Sequence, residues 1–154
     1  MTPEEVLNKN RQTVADILNT LLADEFILYT QTRNAHWNIT GPNFRELHAF
    51  FEEQYEMLDK MVDDVAERVR AIGHFAIGTI TEFSKLTQID EKPELSTPKD
   101  AITTLLSAHE TIIHNIRKQL NTVAAKYGDA TSADFITGIM EHHEKMAWML
   151  RSYL

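Results

Sequence analysis

Two imidazoles and two carboxylates stand at a spacing that suits a first-row transition metal. His36-Trp37 is followed twelve residues later by His48, and then by Asp63 and Glu67. The connecting run is Asn38-Ile39-Thr40-Gly41-Pro42-Asn43-Phe44-Arg45-Glu46-Leu47. None of the seven histidines belongs to an E-x-x-H pair, the arrangement that puts a carboxylate and an imidazole on adjacent turns of one helix.

Four helices must position these groups. Thr2-Pro3-Glu4-Glu5 reads as a capping box with proline at the first helical position. The first helix then carries Val14, Ile17, Leu18, Leu21, Leu22, Leu28 and Tyr29 at helical spacing and runs to about Asn38, before Gly41-Pro42. Asn43 caps the second helix, with Glu46 as reciprocal partner, and Gly73 ends it. Its apolar stripe is Phe44, Leu47, Phe51, Tyr55, Leu58, Val62, Val65, Val69 and Ile72. Residues 73–96 are too long for an ordinary helix–helix connection. They read as a crossover running the length of a bundle, with a short helix within Thr79–Leu86, and they make the second and third long helices parallel. The third long helix opens at Thr97-Pro98 and runs through Ile112, Ile116, Leu120 and Tyr127 until Gly128 stops it. The fourth opens at Thr131 or Ser132. The expectation is an all-α four-helix bundle in one domain, residues 1–154, with a long crossover that carries a short helix.

On the second helix the carboxylates lie beside the apolar stripe, not opposite it. With His48 at zero, Asp59 falls at about +20°, Glu52 about +40°, Asp63 about +60° and Glu67 about +100°, while the apolar residues cluster at about −60°. Glu52/Glu56, Asp59/Asp63 and Asp63/Glu67 are like-charged i,i+4 pairs, each costing an isolated helix a few tenths of a kcal/mol. A bound cation removes that cost. Taken alone, carboxylates at this spacing read as a solvated acidic face, His36 as a hydrogen-bonded structural histidine, and Trp37 as packing; the combination points to a metal.

Length constrains how that metal is held. His48 and Asp63 are roughly 22 Å apart on one straight helix, too far to share an ion. Two copies of the helix crossing antiparallel about a two-fold axis solve this. When His48 meets the partner's Asp63, Glu52 meets the partner's Asp59, and the crossing falls near Tyr55 and Glu56.

Composition excludes several classes. With 154 residues, 43% of them hydrophobic and 25% charged, the chain fits one soluble domain. There are no cysteines, which removes disulfides, thiol catalysis and thiolate metal sites. A formal net charge of −8 and a pI of about 5.3 disfavour polyphosphate partners. No apolar run suits a membrane span or the core of a signal peptide, so a cytoplasmic location is expected.

The chain resembles the Dps family, the twelve-subunit mini-ferritins. The resemblance rests on Leu21-Leu22-Ala23-Asp24, Thr32-Arg33-Asn34-Ala35-His36-Trp37-Asn38, Phe44, Leu47-His48, Asp63-Asp64-Val65-Ala66-Glu67-Arg68 and His143-Glu144-Lys145-Met146-Ala147-Trp148-Met149-Leu150. It implies a ferroxidase centre at a dimer two-fold, with His36, His48 and Glu52 from one subunit and Asp63 and Glu67 from the other. Glu52 stands where the family often has Asp. The family binds Fe(II), oxidises it with hydrogen peroxide in preference to dioxygen, and stores ferric mineral in a hollow dodecamer, which protects against oxidative stress. Carboxylates and imidazoles suit that iron chemistry. Trp37 has two roles open to it, radical quenching or dimer packing. Glu53 and Glu56 resemble mineral-nucleating positions, with a solvated face as the plain alternative. Asp129 and Asp134 resemble the iron-access pore and equally suit capping of the last helix. His74, His109, His114, His142 and His143 read as surface residues.

DNA binding in the family usually depends on mobile basic tails, and none is evident here. Iron storage without DNA binding is therefore expected. The competing classes are a DNA-binding nucleoid protein with a secondary iron role and a helical interaction module in which His36 and His48 are only structural.

Overall fold

A computed structural model describes all 154 residues. It contains α1 (Pro3–Asn38), α2 (Phe44–Ala71), α3 (Ile80–Leu86), α4 (Pro98–Asn121) and α5 (Ala130–Arg151). One core of 35 buried apolar residues joins the four long helices, centred on Leu18, Leu22, Leu28, Phe51, Leu58, Leu105, Ile112 and Ile136. Each such large side chain contributes about 1.5–3 kcal/mol when fully buried.

Local signals explain most helix ends. The Thr2–Glu5 capping box forms as the sequence implies, and Thr79 and Glu82 form a second one at α3. Thr97 caps α4 through the amide of Asp100. Gly73 and Gly128 adopt φ of 89° and 68°, a left-handed region that side chains with a Cβ disfavour. Three expectations need correction. Asn43 makes no side-chain cap on α2, and Glu46 instead accepts from Tyr153 Oη at 2.8 Å. The third long helix does not stay α-helical to Tyr127: it ends at Asn121 and continues as one π-type turn, Thr122–Lys126. The last helix begins earlier than Thr131, because Asp129 caps it by accepting from the amide of Ser132.

The crossover is held by polar side chains that α1 buries for the purpose. Asn19 bonds both ways, to the carbonyl of Phe75 and the amide of Ile77. Asp24 accepts from the Thr87 hydroxyl and the Gln88 amide. Gln31 accepts from the Lys92 amide, and Asn34 donates to the Pro93 carbonyl. The amide of Thr40 then donates to Ser96. These rungs climb α1 from its middle to its C-terminal end. The chain therefore leaves the far end of α2 and returns to the end where α2 began, so α4 starts there and runs parallel to α2. Asp24 carries a cost for this: burial raises its pKa above the usual carboxylate range, against the two hydrogen bonds that lower it.

Candidate metal centre

The turn between α1 and α2 brings His36 and His48 into a reciprocal clasp. Their rings stack at 3.7 Å between centroids with planes 16° apart. His36 Nδ1–H donates to the carbonyl of His48 at 2.7 Å, and His48 Nδ1–H donates to the carbonyl of His36 at 2.7 Å. A carbonyl can only accept, so both protons are assigned to Nδ1 and both Nε2 lone pairs remain available. A hydrogen bond from the far ring nitrogen to a carbonyl is how proteins fix the tautomer of a metal-binding imidazole. Phe44 covers the outer face of His48 at 5.1 Å.

Tyr55 stands at the centre of the remaining contacts. It meets the His36 ring edge-on at 5.1 Å, and its hydroxyl donates to Glu52 Oε1 at 3.3 Å. Burial, and then the charge of Glu52, raise its pKa, so it remains a donor. The Arg33 guanidinium lies over the Tyr55 ring at 4.2 Å, 5.9 Å from the Trp37 ring, and donates to Tyr29 Oη at 2.7 Å. Sequence reading passed over Arg33 and Tyr55 as site residues. Their signal was available: Arg33 lies one helical turn before His36, and Tyr55 one turn after Glu52.

The carboxylates lie further along α2. Glu52, Asp63 and Glu67 are exposed, as are Glu56 and Asp59. Asp63 lines an open cleft of about 500 Å³ together with Asp59, Lys60, Phe26, Ile77 and Phe83. Within one copy no three His, Asp or Glu side chains converge in a way that could hold a metal ion. The end of α1 and the start of α2 thus present the two imidazoles and Glu52, the far part of α2 presents Asp63 and Glu67, and the chain by itself does not unite them. Trp37 is 63% exposed beside His36, a large apolar surface left uncovered.

The other candidates separate. Glu53 and Glu56 are both exposed, on different flanks of α2. Glu53 lies toward Tyr153, whose pKa burial and Glu46 push to about 12, while Glu56 lies toward Tyr55. Asp129 is engaged inside the chain: its oxygens accept from the Ser132 amide at 2.9 Å and hydroxyl at 2.6 Å, and Arg68 approaches at 3.5 Å. Asp134 is exposed. Reading His109 and His143 as surface residues is wrong, since both are completely buried. Their helices carry them on the core face, where a polar side chain requires internal partners.

A family profile described as the ferritin-like domain matches residues 15–154. The chain belongs to the ferritin-like family. Within it the similarity is to Dps proteins. The DNA protection during starvation protein 2 of Bacillus anthracis is 32% identical over 94% of this chain and 98% of its own length. An uncharacterized low temperature-induced protein of Nostoc is 38% identical over 96% of this chain and 83% of its own. The crystal structure of the Dps protein of Vibrio cholerae, described as a member of a broad superfamily of ferritin-like diiron-carboxylate proteins, superposes with a TM-score of 0.89. It is 31% identical, over 94% of this chain and 91% of that one. The all-helical ferritin-like fold is thereby shared with Dps structures.

Proposed function

We propose that this Dps-type chain is a mini-ferritin subunit that binds and oxidises Fe(II) at centres shared between two copies. The clasp of His36 and His48 carries the reading. Two histidines whose Nδ1 protons are both spent on backbone carbonyls hold the turn together and at the same time keep two basic Nε2 atoms available to a metal. The donor set completes by symmetry: His36, His48 and Glu52 from one copy, Asp63 and Glu67 from another. Mixed nitrogen and carboxylate oxygen ligation suits Fe(II), here the substrate, and leaves positions for an oxidant.

The oxidant that best fits such a paired site is hydrogen peroxide. Two Fe(II) supply one electron each, the O–O bond breaks, and two hydroxides leave with no hydroxyl radical released. Ferric iron would then be stored inside a hollow homo-oligomer, a dodecamer by family resemblance. Glu53 and Glu56 are the nucleation candidates. Asp134 suits an iron-access pore better than Asp129, whose carboxylate is already engaged. Trp37, uncovered in the single copy, suits a place against the second one. No helix is long and apolar enough to cross a membrane, and the proposed location is the cytoplasm.

Protection in this reading comes from removing peroxide and Fe(II), not from holding DNA. The formal net charge of −8 disfavours a phosphate backbone. Native mass spectrometry with Fe(II) oxidation assays tests the reading. A hollow oligomer oxidising Fe(II) faster with peroxide than with air supports it. An uncatalysed rate with both oxidants would refute it. Retardation of duplex DNA that survives about 150 mM salt would favour the nucleoid-binding alternative.

A further inference from the structure

Deep in the bundle, about 16 Å along α1 from His36, three titratable groups from three helices form one hydrogen-bonded chain. Glu25 of α1, His143 of α5 and His109 of α4 each have 0% exposure. His143 Nε2 lies 2.6 Å from Glu25 Oε1, and His143 Nδ1 lies 2.9 Å from His109 Nδ1. Each of these bonds holds one proton. The outer atoms of the chain, Glu25 Oε2 and His109 Nε2, have no partner.

Counting charge shows what the arrangement requires. With only its two shared protons the chain is a carboxylate and two neutral imidazoles, a net charge of −1 with no water around it. Buried net charge is costly. The neighbours offer no relief. On α2 the buried polar side chain is the uncharged Gln54, which donates to the Met146 carbonyl and whose Oε1 is itself unpartnered. Helix α1 adds Asp24, a second acid, and the crossover adds only the uncharged Thr87 and Gln88 that hold it. The ion-paired lysine and arginines, Lys60, Arg68, Arg117 and Arg151, are committed elsewhere. A third proton cancels the charge and makes a Glu25 carboxylate–His143 imidazolium pair, with neutral His109 accepting from His143 Nδ1–H.

We propose that Glu25, His143 and His109 form a buried proton-binding site, which takes up one proton at His143 as pH falls and in that state ties α1, α4 and α5 together. Burial, and then the charge of His143, hold the pKa of His109 well below the usual imidazole range, so His109 serves as acceptor and not as the seat of the added proton. Asp24, next to Glu25 on α1, lines a cleft of about 280 Å³ between α1 and α4, together with Asp16, Thr20 and Asn115.

Nitrogen-15 magic-angle-spinning NMR of the assembled protein, histidine-labelled and sequence-specifically assigned, tests this between pH 9 and pH 5. His143 should pass from one N–H to two, while His109 keeps one throughout. Glu25→Gln preserves the shape and removes the counter-charge, and it should hold His143 at one N–H down to pH 5. The proposal is overturned if wild-type His143 stays singly protonated across the range. It is equally overturned if Glu25→Gln leaves the His143 titration unchanged. These readouts involve no iron, so they stand or fall separately from the ferroxidase reading.

Discussion

His36 and His48 hold each other by exchanging hydrogen bonds between ring and backbone, each Nδ1–H donating to the other's carbonyl at 2.7 Å. The α1–α2 turn and the imidazole pair are therefore one structural unit. A residue that replaces either ring disturbs its neighbour as well as itself.

His48→Phe keeps an aromatic ring in the stack but removes the donor to the His36 carbonyl. Loss of that partner should cost about 1–2 kcal/mol, seen as a lower denaturant midpoint. Fe(II) oxidation with peroxide should fall at least tenfold, because one Nε2 is gone. Wild-type oxidation by this variant would show that His48 is structural only.

Tyr55→Phe removes the hydrogen bond to Glu52 and keeps the contacts with His36 and Arg33. The hydroxyl sits at an exposed 3.3 Å contact, so stability should change by less than about 0.5 kcal/mol. Oxidation should slow a few-fold, with the loss in Fe(II) affinity more than in the maximal rate. An unchanged titration curve would mean that Glu52 orients without Tyr55.

His109 predicts acid sensitivity. Folded, it stays neutral because burial lowers its pKa, whereas unfolded it takes a proton near the ordinary value of about 6.5. The unfolded state then binds more protons, so stability is full above that pH and falls by about 1.4 kcal/mol per unit below it, until the folded value is reached. Urea titrations of wild type and His109→Gln between pH 7 and pH 5 would measure this. Parallel slopes in the two proteins would remove His109 as the cause.

Asp129 and Asp134 should part company. Asp129→Ala loses the α5 cap and leaves Arg68 without its acid, for about 1–2 kcal/mol. Asp134→Asn should leave stability within about 0.5 kcal/mol yet slow iron loading of the assembled shell. Stopped-flow uptake with thermal unfolding checks both; unaltered uptake in Asp134→Asn would remove that residue from any pore.

Much of this was legible in the sequence because the signals are local. Thr2, Thr97, Gly73 and Gly128 mark helix ends through their own conformational preferences, and the apolar stripes follow from helical periodicity. The acidic strip beside the stripe of α2 was visible for the same reason. What escaped depends on contacts distant in the chain. Asn19, Gln31 and Asp24 are polar residues on a helix, and only the crossover passing over them gives their burial a reason. His109 and His143 are separated by 34 residues and meet Glu25 from the far side of the core. Each alone resembles a surface histidine. Asn43 makes no cap because its backbone, at φ −99° and ψ 21°, is not in the extended conformation of an N-cap, and Glu46, its expected partner, bonds Tyr153 from the other end of the chain.

The most direct test of the shared centre is complementation between two damaged proteins. One variant carries His36→Ala and His48→Ala; the other carries Asp63→Ala and Glu67→Ala. Each alone should lose fast Fe(II) oxidation, because every site in its oligomer is broken. Co-assembly after unfolding makes about half of the dimers mixed, and in each of these one of the two sites receives intact histidines and intact carboxylates. About a quarter of the wild-type rate should return if sites act independently. Mixed dimers confirmed by mass spectrometry, with activity no higher than in the parents, would contradict a centre divided between His36 and His48 on one copy and Asp63 and Glu67 on the other.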